Sequence, residues 1–260
     1  MLNQAGSGHT AGPLGLAEIF TALYFNVLKH NPKQPNWELR DRLILSPGHV
    51  CPIRYMVMAH AGYFPVKELS TLRKFGSRLQ GHPSRLDLPG LEFSTASLGQ
   101  GLGMAVGMAL AAKLKKQNHK IFCITSDGEH DEGSTWEAVT AAHKYKLDNP
   151  INIIDRNNIQ ISGFTHEVWP LEPLKEKYLA HGWKVFEVNG HDFKQMISTL
   201  EKVKKVKNQP VCVISYNTPG KGVSFFENNY HWHGKTPNNE ELQKALAELQ
   251  KEEERIKHGR

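Results

Sequence analysis

Three short, largely apolar segments restrict most strictly what this chain can fold into. They are Ile121–Thr125, Ile151–Asp155 and Val211–Tyr216, and none shows a regular alternation of polar and apolar residues. Such runs are typical of strands in a parallel sheet that is covered on both faces. Weaker strand signals occur at Arg42–Leu45 and Trp183–Val188.

Helical patterns separate these strands. Apolar residues recur at helical spacing over residues 16–27, and helices are also predicted at Gly99–Gln117, Ser134–Lys146 and Phe193–Val206. Strands that alternate with helices predict an α/β fold. We expect a doubly wound, mostly parallel sheet with helices on both faces and right-handed crossovers.

The chain length of 260 residues suits one large domain better than two. We expect residues 1–237 to form a ligand-binding domain and residues 238–260 to form a charged helical tail. The segment Gly76–Ser97 is rich in Gly, Pro and Ser and is long for a bare connection. Long loops in compact domains are often functional.

Composition argues against several classes of protein. The net charge is +6 without a run of five basic residues, so it is compatible with anionic small ligands, an acidic partner or simple solubility, and nucleic acid is not expected. The cysteines, Cys51, Cys123 and Cys212, are far apart and odd in number, which argues against a disulfide framework. No apolar run is long enough for a membrane span, and the N-terminus lacks a signal core. We therefore expect a cytoplasmic protein.

Polar turns follow two of the predicted strands. Ile121–Thr125 leads into Ser126-Asp127-Gly128-Glu129, and Ile151–Asp155 leads into Arg156-Asn157-Asn158-Ile159. In open α/β sheets, ligands bind beyond the carboxyl ends of the strands. We expect these two turns to lie at the same edge of neighbouring strands.

The residue types in these turns suit a magnesium ion. Mg²⁺ prefers oxygen ligands, which the carboxylate of Asp127, the amide of Asn157 and the backbone carbonyl of Ile159 can supply. Only one full negative charge comes from the protein, so we expect a diphosphate to supply the rest. Alternatively, Asp127 caps a helix and Asn157 fills a turn. Their joint occurrence after two buried strands, 157 − 127 = 30 positions apart, favours the metal.

Four of the fourteen histidines stand next to Gly in loop-like segments, and they are His9, His49, His82 and His233. Imidazole titrates near neutrality, so it can donate a proton to a developing alkoxide and take it back. We expect these four to act at the site. We expect His30, His119, His143 and His181 to be ordinary surface or core residues.

These motifs together resemble the transketolase family. The pair SDG…RNN is similar to the thiamine-diphosphate signature GDG…N(N), and SDGEHDEGSTWEAVTAAHKYKLDN…IDRNNIQISG looks like transketolase in particular. Further motifs occur in the same chain order, namely SGH at 7–9, DRLILSPGH at 41–49, GHPS at 81–84, SLGQG at 97–101 and WHGK at 232–235. The resemblance covers nearly the whole chain and implies a thiamine-diphosphate-binding fold over residues 1–237.

The resemblance implies a role for each of these residues. The metal ligands would be Asp127, Asn157 and Ile159. The residues at thiamine diphosphate would be His49, Ser97, Leu98, Gly128, Asn157 and His233. The catalytic residues would be His9, His82, His233 and Glu132, with Glu132 at the interface with a second polypeptide. The substrate contacts would be His9 and Lys235.

The chain departs from the family pattern at two positions near the cofactor. Ser126 replaces the first Gly of the GDG signature, and a Ser there is strained only if the backbone needs a positive φ. Pro219 stands where relatives carry a Lys, and Lys221 is a candidate replacement for that charge.

The resemblance also implies a partner. A full transketolase has further domains, one of which binds the aminopyrimidine ring and carries an activating Glu, and this chain ends at Arg260 without one. We expect the N-terminal subunit of a split transketolase, which forms a heterotetramer with a C-terminal, pyrimidine-binding subunit. Together they would transfer a two-carbon unit from a ketose phosphate to an aldose phosphate, by default in the pentose phosphate pathway.

Three alternatives remain open. The chain could be the α chain of a 2-oxoacid dehydrogenase, although GHPS and WHGK argue against it. It could be a non-catalytic subunit that only binds thiamine diphosphate. The spacing of Gly101, Gly103 and Gly107 resembles a relaxed dinucleotide fingerprint, but no firm strand precedes it.

Overall fold

The computed structural model describes residues 1–259 and is built around a five-stranded parallel sheet. Its strands are β1 (Arg42–Leu45), β2 (Ile121–Ser126), β3 (Pro150–Arg156), β6 (Lys184–Asn189) and β7 (Val211–Tyr216). They lie in the order β1-β2-β3-β7-β6, and every neighbouring pair is parallel. β4 (Ile159–Gln160) and β5 (Gly163–Phe164) form a separate antiparallel hairpin directly after β3.

Ten α-helices precede, connect and follow the strands in residues 1–259. In chain order they are α1 (Leu2–Ala5), α2 (Ala11–Gly15), α3 (Ala17–Ala22), α4 (Cys51–His60), α5 (Gly101–Leu114), α6 (Gly133–Lys144), α7 (Thr165–Val168), α8 (Leu174–Ala180), α9 (Phe193–Val203) and α10 (Asn239–Lys257). α3 continues into a π-helical turn at Leu23–Val27. α10 begins with a capping box, in which Asn238 and Glu241 accept from each other's backbone N–H.

Alternate residues of each strand enter opposite layers of the core. In β2, Phe122 and Ile124 pack in the layer that contains α3, α4 and α9. Ile121 and Cys123 pack in the layer that contains α5, α6 and α8. Both sheet faces are thus covered, which explains why the strands read as continuous apolar runs. The prediction of a doubly wound parallel sheet is confirmed.

Parallel pairing brings the carboxyl ends of the strands to one edge of the sheet. The chain leaves β1 at Ser46, β2 at Asp127, β3 at Asn157 and β7 at Asn217. The segment from Gly76 to Ser97 forms turns and bends without a helix or strand. This edge is where the candidate site lies.

Two further findings concern the cysteines and membranes. Cys51, Cys123 and Cys212 are buried free thiols. Within the described part of the chain, no helix combines the length and apolarity that crossing a bilayer requires.

Candidate active site

A cavity of about 390 Å³ opens at the carboxyl edge of the sheet. Nine of the residues that the sequence singles out line it, and they are His9, His49, His82, Leu98, Asp127, Gly128, Asn157, Ile159 and His233. They come from widely separated parts of the chain. The structure thus brings together the ends of β2 and β3, the histidine loops and the WHGK segment.

Asp127 is held rigidly at the base of this cavity. Its Oδ2 accepts from Arg156 Nη1 at 2.8 Å and from the backbone N–H of Asn158 at 2.7 Å, with Thr165 Oγ1 3.3 Å away. Its Oδ1 accepts only from the backbone N–H of Gly128, at 2.9 Å. Burial raises the pKa of Asp127, and the charge of Arg156 and these N–H groups oppose that rise. Oδ1 therefore keeps one free lone pair.

The Asn157 amide is oriented by a neighbouring carboxylate. Its Nδ2 donates to Asp155 Oδ2 at 2.8 Å, and Asn217 Nδ2 donates to Asp155 Oδ1 at 2.5 Å. With its nitrogen on Asp155, the amide points its oxygen away from that side chain. That oxygen accepts from the backbone N–H of Ile159 at 3.0 Å and keeps one lone pair. Burial raises the pKa of Asp155 to about 7, and the charge of Asp127 adds to the rise.

The backbone next to Asp127 and Asn157 turns sharply and carries little side-chain bulk. Asn158 has a φ of 64°, a left-handed conformation that Asn tolerates well, and it turns the chain from β3 into the β4–β5 hairpin. Gly128 lies against Gln160, whose Cγ would be 3.1 Å from an added Cβ. Ser126 ends β2 and has no positive φ, so its replacement of Gly carries no backbone strain.

These residues fit a magnesium ion that arrives with a diphosphate. Asp127 and Asn157 line the same cavity, and each has an oxygen lone pair free. Mg²⁺ usually takes only a few oxygen ligands from the protein when phosphate oxygens and water complete its coordination shell. In residues 1–259, no three His, Cys, Asp or Glu side chains form a group that could hold a metal ion. The protein's share of such a site is therefore small.

Three histidines form a cluster that lines the same cavity. The ring centroids of His9 and His49 are 4.7 Å apart, those of His49 and His233 are 5.2 Å apart, and those of His9 and His233 are 5.5 Å apart. Burial, followed by the charges of neighbouring histidines and Arg73, lowers the pKa of His9 to about 4. Burial also lowers the pKa of His49 and of His233. All three rings are therefore neutral at neutral pH.

His82 lines the cavity, and Arg73 lies near it. Both are exposed, and burial and the charge of Arg73 lower the pKa of His82. The Arg73 guanidinium lies against Gly81, where an added Cβ would come within 2.8 Å of its central carbon. Within residues 1–259 it forms no ion pair with a carboxylate. A free positive charge thus acts on His9 and His82.

Three of the predicted site residues lie outside the cavity. Glu132 is exposed at the N-terminus of α6, where its side chain packs against Gly99. Ser97 is exposed and lines a separate hollow with Gln100. Lys235 Nζ lies 2.6 Å from Glu241 Oε1 and 3.9 Å from the centre of the Trp232 ring.

Sequence reasoning missed several residues at the site. Arg156 stands within the RNN motif, but nothing in the sequence pairs it with Asp127. Glu129, in the SDGE turn, accepts from the backbone N–H of Gly99 at 2.7 Å and from the hydroxyl of Ser46. Burial raises the pKa of Glu129 to about 7. Glu129 thereby ties the SLGQG loop to the ends of β1 and β2.

Comparisons with known proteins agree on one family. The family model described as the thiamine diphosphate binding domain of transketolase matches residues 1–255. One subunit of an apulose-4-phosphate transketolase from Phocaeicola vulgatus is 40% identical over 253 residues, which is 97% of this chain and 90% of the relative. A 6-deoxy-6-sulfo-D-fructose transketolase subunit from a Clostridium species is 40% identical over 251 residues, or 96% of this chain and 91% of the relative.

A solved structure gives the same fold. The transketolase of Campylobacter jejuni superposes with a TM-score of 0.88 at 38% sequence identity, over 95% of this chain and 40% of that one. The chain therefore spans nearly the full length of the curated subunits but about two-fifths of this larger protein.

Proposed function

The chain belongs to the transketolase family, and we propose that it is the diphosphate-binding subunit of a two-chain transketolase. The observation that carries the proposal is the meeting of Asp127 and Asn157 at one cavity, each with an oxygen lone pair free. Bound thiamine diphosphate supplies an electron sink for breaking a carbon–carbon bond next to a carbonyl. The residues of this chain would bind it, orient the substrate and move protons.

Binding of the cofactor would use the ends of β2 and β3. Asp127 Oδ1, Asn157 Oδ1 and the carbonyl of Ile159 would hold Mg²⁺. The absence of a side chain at Gly128 lets a diphosphate approach the backbone closely. Leu98, from the SLGQG loop, contributes an apolar part of the cavity wall.

Proton transfer would fall to the neutral histidines. A neutral imidazole has one nitrogen that donates a hydrogen bond and one that accepts, so it can donate to a substrate hydroxyl or accept from it. His9 Nδ1 is buried and has no hydrogen-bond partner in residues 1–259, which supports a role in contacting substrate. His49 and His233 lie within 5.5 Å of it, centroid to centroid. His82 would contact the substrate nearer the rim.

The substrate would carry an anionic group. Arg73 is exposed beside His9 and His82, and a free guanidinium there favours a phosphate or sulfonate. The two curated relatives are named for a sugar phosphate and a sulfonated sugar. Both classes of donor therefore belong in the assay, alongside the substrates of pentose phosphate metabolism.

A partner chain would complete the site. The curated relatives that are named as subunits support this. Glu132, exposed at the start of α6, would lie at that interface beside the cofactor's pyrimidine. We propose a cytoplasmic heterotetramer, in which residues 1–237 form the cofactor-binding domain and residues 238–260 a charged tail. The helix of that tail is α10, and Arg260 lies outside the described residues.

The proposal is tested by reconstitution. The chain is assayed with Mg²⁺, thiamine diphosphate and both classes of donor, alone and with a candidate pyrimidine-binding subunit. We expect no two-carbon transfer alone and clear transfer on mixing. His9→Asn should impair transfer in the assembled enzyme, whereas His60→Asn, at an exposed helix end, should not. Robust transfer by the isolated chain would contradict the split-enzyme proposal.

A further inference from the structure

The charge of Asp127 is already balanced within this chain. Arg156 Nη1 lies 2.8 Å from Asp127 Oδ2, and the two side chains are 8% and 1% exposed. Arg156 Nη2 also lies 3.0 Å from Glu172 Oε1, but the Glu172 side chain is 62% exposed. Solvent screens an exposed pair, whereas a buried pair keeps much of its Coulomb attraction. Asp127 is therefore the main counter-ion of Arg156.

Asp155, the other nearby carboxylate, is not a counter-ion of Arg156. Asp155 accepts from the amides of Asn157 and Asn217, and its contacts do not include Arg156. Of the proposed cation ligands, Asn157 contributes a neutral amide oxygen and Ile159 a neutral carbonyl. The ligand set thus offers a cation one carboxylate, whose charge a guanidinium cancels at contact distance.

We propose that Arg156 makes cation binding conditional on the diphosphate. This inference rests on the proposed function, because it takes Asp127 and Asn157 as ligands. A divalent cation alone meets the repulsion of the fixed guanidinium and a neutralised carboxylate. A diphosphate brings the missing negative charge, so cation and diphosphate bind together. Arg stays protonated at any physiological pH, so this repelling charge is permanent.

The test measures Mn²⁺ binding to the full chain by paramagnetic resonance, with and without inorganic pyrophosphate. In the wild type, we expect weak binding alone and much tighter binding with pyrophosphate. Arg156→Gln and Arg156→Met should bind Mn²⁺ alone at least about tenfold more tightly, because the repelling charge is gone. The increase in Mn²⁺ affinity that pyrophosphate causes should be smaller in these variants by the same factor. Arg156→Lys, which keeps the charge, and Glu172→Gln should behave like the wild type.

Unchanged or weaker Mn²⁺ binding by folded Gln and Met variants would overturn the proposal. So would tight Mn²⁺ binding by the wild type without pyrophosphate, a result that needs no variant to fold. Failure of the proposed function gives a different pattern. In that case the assembled wild-type enzyme would bind neither Mn²⁺ with pyrophosphate nor thiamine diphosphate.

Discussion

Replacement of Glu92 by Gln should destabilise the chain by about 3–5 kcal/mol, the usual cost of removing one partner from a buried ion pair. Glu92 Oε2 accepts from Arg54 Nη2 at 2.6 Å, and Oε1 accepts from Arg40 and from the backbone N–H of Leu43 at 3.1 Å. The Glu92 side chain is 3% exposed, that of Arg54 1% and that of Arg40 9%. Loss of the carboxylate would leave two buried guanidinium groups without their counter-ion.

The location of this triad connects stability to the site. Glu92 begins the segment that leads to Leu98, and Arg54 belongs to α4, which follows His49. An added Cβ at Gly48 would come within 2.6 Å of the Thr95 carbonyl oxygen, so this segment and the His49 turn are in close contact. Weaker attachment of Glu92 should therefore also weaken cofactor binding.

The assay is urea unfolding of the isolated chain at pH 7, with Glu68→Gln as the matched control. Glu68 pairs with Arg78, but the two side chains are 24% and 36% exposed, so that loss should cost under about 1 kcal/mol. Burial alone would raise the pKa of Glu92, but the charges of Arg54 and Arg40 outweigh it and lower that pKa.

A lowered folded-state pKa sets the pH dependence of this difference. The stability from Glu92 is present above the unfolded-state pKa of 4.5 and is lost as pH falls further. The gap between wild type and Glu92→Gln should therefore narrow below pH 4.5. A cost no larger than that of Glu68→Gln at pH 7 would refute the reasoning.

Two further predictions concern the site wall and the histidine cluster. Gly101→Ala should destabilise the folded chain by about 1–3 kcal/mol, because the added methyl would overlap the side chain of Ser46. Gly103→Ala in the same helix has open space around the methyl and should stabilise the chain by up to about 1 kcal/mol. Equal effects of the two substitutions in urea unfolding would contradict this. The pKa of His9 is lowered to about 4, so between that pH and 6.5 the unfolded state binds a proton that the folded state does not. The Tm of the wild type should therefore fall relative to that of His9→Asn as pH falls from 6.5 to 4.5. A difference in Tm that stays constant over this range would count against a buried neutral ring.

The strands could be predicted because both faces of the sheet are buried. All five predicted strands form, and their bounds differ by at most one residue at each end. Lys184–Asn189 gave a weak signal because it is an edge strand with several exposed side chains. The helix Cys51–His60 was not predicted, because it is buried on nearly every side and so lacks an amphipathic stripe.

The site was predictable where it depends on strand ends and not where it depends on side-chain pairing. Asp127 and Asn157 follow neighbouring strands, so their meeting follows from parallel topology. The ion pair between Arg156 and Asp127 depends on which way each side chain turns, and no local pattern encodes that. Arg73 likewise reaches the histidines only through the folded path of the loop around Gly81.

The most direct measurement is the anomalous diffraction of Mn²⁺ in crystals of the assembled enzyme with thiamine diphosphate. We predict one Mn²⁺ peak at the diphosphate, at direct-ligand distance from Asp127 Oδ1, Asn157 Oδ1 and the Ile159 carbonyl oxygen. A diphosphate bound elsewhere on the chain would contradict this, as would a Mn²⁺ ion that touches neither Asp127 nor Asn157.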